Sequence, residues 1–301
     1  LLSLYYPRIR VLKMQKFNEY SRLRRVAIRN PNSAFVSQKK LQNEWEKLRF
    51  TDVPNFEKAC HEFEIFKNII EKTGAKIIEL PAHRDLTIDS IYPRDSNLIC
   101  PEGIITCNMG RATRTVEAKV NGDLYKMLDL PSAGEVEKPG TLEGGDFIWI
   151  DEHHAAVGLG PRTNKSGVAQ LKNILGSDVD LMIVDLPEPD HPDDVLHLMS
   201  IISPIDCDLA VVYEKFAPDT FIDWLKNLNI EIISISDEEY ENMGCNVLTL
   251  APREVLILDG CESVMEKLIA KDCIVHTYTG NEISRKGEGG PTCLTRPLLR
   301  G

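Results

Sequence analysis

Five side chains able to do polar chemistry recur along the 301-residue chain at nearly equal intervals. They are Asp95, Glu143, His197, Asn246 and Cys293, separated by 48, 54, 49 and 47 residues. The last follows Lys286-Gly287-Glu288-Gly289-Gly290-Pro291-Thr292, where three glycines and a proline fall within five residues. Glycine takes backbone angles closed to other residues and proline removes a donor, so neither a helix nor a central strand can run through this stretch. A cysteine just after it can be held on a rigid, open loop, where a thiolate can form and act as nucleophile. Taken singly, each of the five has an ordinary role: Asp95 paired with Arg94, Glu143 on a solvated turn, His197 satisfied in the core, Asn246 capping backbone, and Cys293 a small buried apolar group. The capping role is the one we assign to Asn246. Taken together at one spacing, they point to a site, because buried charges cost several kcal/mol unless paired or used.

A thiol, an imidazole and two carboxylates suit attack on a planar cationic carbon, and a guanidinium is such a target. Carboxylates hold it in bidentate fashion and fix its plane. On this reading Asp95 and Glu143 grip the guanidinium nitrogens, Cys293 attacks the central carbon, and His197 protonates the departing amine and then activates water. The bound cation would itself favour the thiolate. A substrate carrying an α-carboxylate needs a basic anchor as well. Arg162, or one of Arg111 and Arg114, can supply it, each lying just past the end of a strand pair.

The elements that must position these groups follow a recurring pattern. Alternating or continuous apolar runs predict strand pairs at 97–100 with 103–107, 145–150 with 154–159, 198–203 with 209–213 and 246–250 with 255–258. Helical spacing predicts helices over 56–72, 165–175, 219–228 and 262–271, with single strands at 24–28, 75–80, 180–184, 231–235 and 273–278. The unit is strand, strand, helix, strand, and a period of this length marks a repeat architecture. If the repeats close around an axis, the five polar positions converge on one cavity. Residues 30–56 are weakly patterned. Residues 1–20 are expected to be a peripheral N-terminal extension, on which a second copy of the chain could pack, and 21–301 one catalytic domain.

Composition narrows the partners. The net charge is −11, with no basic run interleaved with aromatics, which excludes nucleic acid and anionic membrane as expected partners and is compatible with a small cationic substrate. The eight cysteines form no Cys-x-x-Cys pair and no zinc spacing, so the thiols are read as reduced, the compartment as cytoplasmic, and no metal or cofactor is expected. The apolar opening of the sequence meets Pro7, Arg8 and Arg10 at once, which is the wrong order for a signal peptide.

At this point the chain resembles the guanidino-group modifying enzymes: dimethylarginine dimethylaminohydrolase, arginine deiminase and the amidinotransferases. The resemblance is carried by Tyr92-Pro93-Arg94-Asp95, Leu142-Glu143-Gly144-Gly145-Asp146, the stretch 158–164, His197-Leu198, Gly244-Cys245-Asn246-Val247-Leu248 and Glu288-Gly289-Gly290-Pro291-Thr292-Cys293-Leu294. It implies the pentein fold, an α/β-propeller of five ββαβ units with pseudo-fivefold symmetry. It also implies catalysis by Cys293, His197 and Glu143, with Asp95 on the guanidinium and Asp89 as a second substrate-contacting carboxylate. Arginine deiminases and amidinotransferases carry an aspartate two residues after the histidine, where this chain has Met199. Fewer acceptors suit a substituted guanidinium, or one held by fewer bonds. The expected activity is therefore hydrolysis of an arginine-type side chain to citrulline and an amine, dimethylarginine first and arginine second, with an amidinotransferase on the same site as the alternative.

Overall fold

Five three-stranded sheets carry the architecture. The structure, a computed structural model, describes residues 15–128, 130–188 and 196–301. Four of the sheets are built from consecutive strands: β3 (Asn97–Cys100), β4 (Gly103–Thr106) and β5 (Ser132–Glu135); β6 (Phe147–Trp149), β7 (His154–Leu159) and β8 (Asp180–Asp185); β9 (Ile202–Asp206), β10 (Leu209–Val212) and β11 (Glu231–Ser234); β12 (Leu248–Ala251), β13 (Glu254–Leu258) and β14 (Ile274–Tyr278). In each the first two strands pair antiparallel and the third returns parallel to the middle one. A parallel return needs a crossover, supplied by α4 (Thr115–Met127), α5 (Lys165–Leu175), α7 (Asp219–Asn227) and α9 (Glu262–Ile269). This is the pentein propeller of ββαβ units.

The fifth sheet explains why the first repeat is hard to see in the sequence. Its order is β15-β1-β2, with β1 at Leu23–Ile28, β2 at Lys76–Glu79 and β15 at Arg296–Arg300. β15 pairs antiparallel with β1, so the first strand of the first repeat comes from the far end of the chain and closes the ring. The weakly patterned 30–56 holds two short helices, α1 (Pro31–Ala34) and α2 (Gln38–Glu44). Helix α3 (Phe56–Lys72) begins at Asn55, whose side chain accepts from Lys58 N, and ends before Gly74 at φ 83°. Phe63, Phe66 and Ile70 fill its buried face, each a burial of about 1.5–3 kcal/mol. Glu62 shares that face and accepts the backbone N–H groups of Glu282 (2.8 Å) and Ile283 (3.3 Å), so α3 also fixes the loop leading to Cys293.

Three sequence expectations change. Residues 198–203 are not a strand throughout: helix α6 (Leu198–Ile201) comes first and β9 starts only at Ile202. The Ser200 hydroxyl accepts from His197 N at 3.1 Å, and a side chain that caps its own backbone competes with extended structure. The strand expected from 246 begins at Leu248, because Asn246 turns its side chain to the loop of Cys293. Of the stretch expected to be peripheral, 1–14 lie outside the described residues, and 15–20 are packed: Phe17 meets Trp149 at 5.8 Å and Lys16 N donates to Arg300 O. No helix among the described residues is long and apolar enough to cross a membrane.

Candidate active site

His197 stands at the start of α6 with its ring buried (5 % exposed), directly over the Glu143-Gly144-Gly145-Asp146 turn. Its Nε2 lies 2.8 Å from Glu143 Oε2, and its Nδ1 lies 3.9 Å from Asp95 Oδ1. Gly145 makes this approach possible. A methyl group there would sit 2.7 Å from both Asp95 Oδ1 and His197 Nδ1, closer than such contacts occur. Gly145→Ala is therefore expected to push imidazole and carboxylate apart and to lower kcat/KM by about 10²-fold, since misplacement of roughly 1 Å costs that much. Steady-state kinetics on a substrate, with circular dichroism to confirm folding, checks this.

Glu143 gives both oxygens to neighbours. Oε1 accepts the Arg111 backbone N–H at 2.8 Å and Oε2 meets the imidazole. Both oxygens of this carboxylate, one of the two expected on the guanidinium, are taken by the protein. Burial works against its charge, but the hydrogen bond and charge of His197 outweigh that and hold it below the ordinary carboxylate range. Asp146 was part of the recognised motif but was given no role. It is fully buried, accepts from Thr163 Oγ1 (2.6 Å) and from Leu198 N (3.1 Å), and so ties the turn to α6. Burial raises its carboxyl to about 6. For His197, burial alone would lower the affinity for a proton, yet the carboxylates of Asp95, Asp146 and Glu143 raise it to about 9.

Asp95 is held from behind. Its Oδ2 accepts from Arg114 Nη1 at 2.5 Å, while Oδ1 is buried and has no hydrogen-bond partner among the described residues. Burial would raise its pKa, but His197 and Arg114 hold it below the ordinary value. Arg114 also binds Glu117 through two bonds, at 2.9 and 2.8 Å, and Tyr92 O at 2.7 Å. Of the three arginines considered as carboxylate anchors, this one is thus given over to the protein's own acids. Arg114→Met leaves two buried carboxylates without their cation, and is expected to cost about 3–5 kcal/mol of stability in urea unfolding.

Asp89 sits in the short helical turn Ile88–Ile91 and is 2 % exposed. Its Oδ2 lies 3.1 Å from Arg111 Nη1, although off the hydrogen-bonding direction. Burial raises Asp89, and the charges of Arg114, Arg111 and Arg162 lower it. The backbones of Gly110 and Arg162 touch, since a methyl on Gly110 would fall 2.5 Å from Arg162 O. Arg162 is buried, at 3 % exposure.

Cys293 is half-buried in the turn that leads into β15. Its carbonyl accepts from Arg94 N at 3.4 Å, so the nucleophile candidate and Asp95 sit on adjoining backbone. Asn246 does two things. Its Oδ1 accepts from Thr292 N (3.0 Å) and Thr292 Oγ1 (2.8 Å), the expected cap, and its Nδ2 donates to Cys293 Sγ at 3.4 Å. The glycines of the loop are needed for space rather than for angle. Methyl groups at Gly287 and Gly289 would strike Tyr92 at 2.1 and 2.3 Å, and one at Gly290 would strike Asn246 at 2.4 Å. The left-handed residue in the loop is Glu288, at φ 57°. Burial raises the Cys293 thiol, Asp95 adds to this, and the bonds from Asn246 and Thr292 and the charge of Arg94 oppose it.

The ligand atoms of Asp95, Glu143 and His197 all lie within 4.8 Å of one another, near enough to share a small cation. The proton that His197 retains up to about 9 is itself a cation placed between the two carboxylates.

A propeller whose ring holds a thiol, an imidazole and paired acids is the architecture of the guanidino-group modifying enzymes. The chain belongs to the eukaryotic N,N-dimethylarginine dimethylhydrolase family, whose model matches residues 31–300. That membership places it among guanidino-group hydrolases. It is 24 % identical over 283 residues to the uncharacterized protein YkgA of Bacillus subtilis, covering 94 % of each chain. It is 25 % identical to an arginine deiminase of Limosilactobacillus reuteri, over 78 % of this chain and 68 % of that one. A crystallised dimethylarginine dimethylaminohydrolase of Pseudomonas aeruginosa, bound to citrulline, shares the fold with a TM-score of 0.75 at 20 % identity, over 93 % of this chain and all of that one.

Proposed function

We propose that the protein hydrolyses the guanidinium group of a free arginine-type substrate, N-methylated arginine first and arginine second, to citrulline and an amine. The observation that carries this reading is Asp95 Oδ1, a buried carboxylate oxygen without a hydrogen-bond partner among the described residues, set beside the His197 imidazole and next to the backbone of a thiol. A buried acceptor left unmatched costs free energy, and a cationic N–H donor is what would satisfy it.

In this reading the guanidinium lies against Asp95, and Asp89, 3.1 Å from Arg111, is a second substrate-contacting carboxylate on the side of the arginines. Arg111 and Arg162 hold the substrate carboxylate at the other pole. The resting thiol is protonated. The arriving cation offsets the charge of Asp95, and the thiol loses its proton to solvent. The thiolate then attacks the central carbon. As the C–N bond breaks, the leaving amine takes a proton from His197, whose Nδ1 is the nitrogen Glu143 leaves unused. A covalent thiouronium remains. Neutral His197 removes a proton from water, the hydroxide adds to the same carbon, and the C–S bond breaks, the sulfur leaving as the resting thiol with the hydroxyl proton, to give the ureido product. We place the chemistry in the cytoplasm, with no metal or cofactor.

Met199, where related deiminases carry an aspartate, supports a substituted guanidinium, because an alkylated nitrogen has fewer N–H groups to satisfy. Incubation with asymmetric dimethylarginine, monomethylarginine and arginine, scored for both amine and citrulline, tests the reading. Dimethylamine and citrulline in equal amounts are expected. Absence of product from every guanidino compound in the panel would overturn it, and a new guanidino compound on adding glycine would replace hydrolysis by transfer.

A further inference from the structure

Behind the site, where β15 passes the loop of Cys293, three arginines are buried together. Arg94, Arg296 and Arg300 are 1, 4 and 3 % exposed. Glu19, 12 % exposed, pairs with them through Oε2, 3.2 Å from Arg94 Nη1, and Asp95 also feels the charge of Arg296. Burial works against the Glu19 charge, and the three arginines overcome it and lower its pKa. Other donors of the arginines go to backbone carbonyls: Arg94 Nε to Thr292 (3.0 Å), Arg296 Nη2 to Arg94 (2.5 Å), and Arg300 Nη1 to Ser21 (2.7 Å) and Thr249 (2.9 Å). Four buried nitrogens have no hydrogen-bond partner among the described residues: Arg94 Nη2, Arg296 Nε, and Nε and Nη2 of Arg300.

Two small cavities open among these groups. One, of about 10 Å³, is lined by Glu19, Arg94, Met199, Thr292 and Arg300. The other, of about 30 Å³, is lined by Glu19, Arg296 and Arg300 together with Phe147 and Trp149. Each has room for a body at least the size of a water molecule. A neutral water would satisfy donors but add no negative charge to a cluster whose arginines outnumber the acids beside them among the described residues. Buried charge without a counterion costs several kcal/mol, and burial already lowers the pKa of Arg296 and Arg300 to about 10.

We propose that this cluster is a binding site for one small monovalent anion, chloride by size and charge, held by Arg94 and Arg300 beneath the loop of Cys293. The site is independent of which guanidino compound the enzyme uses.

The test compares thermal unfolding of the full chain in sodium chloride and in sodium gluconate at equal ionic strength, and diffraction at the bromine edge from crystals grown in sodium bromide. An anion bound to the folded state stabilises it by mass action. At a hundredfold excess over Kd, chloride is expected to raise Tm by about 4 °C over gluconate. Arg300→Gln is expected to remove that difference, and an anomalous peak is expected against Arg94 and Arg300. Equal Tm in the two salts overturns the proposal, as does a cavity holding only water in bromide. Bromide seen in the crystal without a chloride-dependent Tm would be an adventitious ion only and would also overturn it. If Arg300→Gln does not fold, the comparison of salts on the unsubstituted chain decides alone.

Discussion

Replacing Cys293 by alanine is expected to lower turnover by at least about 10⁴-fold while leaving substrate binding within a few-fold of the parent. Of the eight free cysteines, Cys293 alone is placed against Asn246 Nδ2 and on backbone adjoining Asp95. Its removal takes away the nucleophile but none of the carboxylates or arginines that would hold the substrate. The fold should tolerate the change, because Cys293 is half-buried and its backbone contacts remain. Two measurements check this. Rapid-quench mass spectrometry of the parent should trap an adduct on the peptide carrying Cys293, and the variant should show none. Calorimetric titration with substrate should give similar affinities for both. A variant that keeps a tenth of parental turnover would show that the sulfur is not the reacting atom.

The second large effect is expected at Glu143. Glu143→Gln keeps the shape of the side chain but removes the charge that faces His197 Nε2 at 2.8 Å. Burial opposes protonation of His197, and the carboxylates of Asp95, Asp146 and Glu143 raise it to about 9. Without the Glu143 charge, the imidazole should lose its proton at lower pH. The protonated ring is the proposed donor to the leaving amine, so activity in the parent should fall as pH rises through about 9. In the variant that alkaline fall should move toward neutral pH, with kcat reduced by about 10²–10⁴-fold at pH 8. A purely structural role for Glu143 would lower the amount of folded enzyme without moving the limb, so the pH–rate profile separates the two. The same linkage acts on stability. A group whose folded pKa lies above its unfolded value of 6.5 contributes fully below that pH and loses its contribution as pH rises through the folded value. The parent should therefore lose stability toward pH 9, and Glu143→Gln should flatten that dependence.

The five-residue constellation and the repeat that carries it were legible because the chemistry is concentrated in one position per unit. Period-2 strands, 3.6-period helices and glycine-rich turns are local signals, and they announced all three strands of three sheets and the first two of a fourth, whose helix 115–127 and third strand 132–135 carry no such clear pattern. The first sheet stayed hidden because β15 and β1 are separated by almost the whole chain, and no local pattern announces such a pairing. Asp146 went unremarked although it lies in the recognised motif. An acid in a turn looks the same whether it is solvated or, as here, ties that turn to Leu198 N. The glycines of the loop were noticed for the wrong reason. They are demanded by the rings and amide pressed against them, contacts that come from segments far away in sequence.

Sequence alone pointed to which groups could meet: a thiol, an imidazole and acids at one repeat spacing are expected to converge if the units close into a ring. It could not divide the labour among like charges. Asp95 keeps one oxygen open while Glu143 spends both on Arg111 N and His197, and Arg114 is consumed by Asp95 and Glu117. Those assignments depend on distances of a few ångströms in a buried site, where each hydrogen bond taken by one partner is denied to another. They exist only once segments some fifty residues apart have been packed side by side.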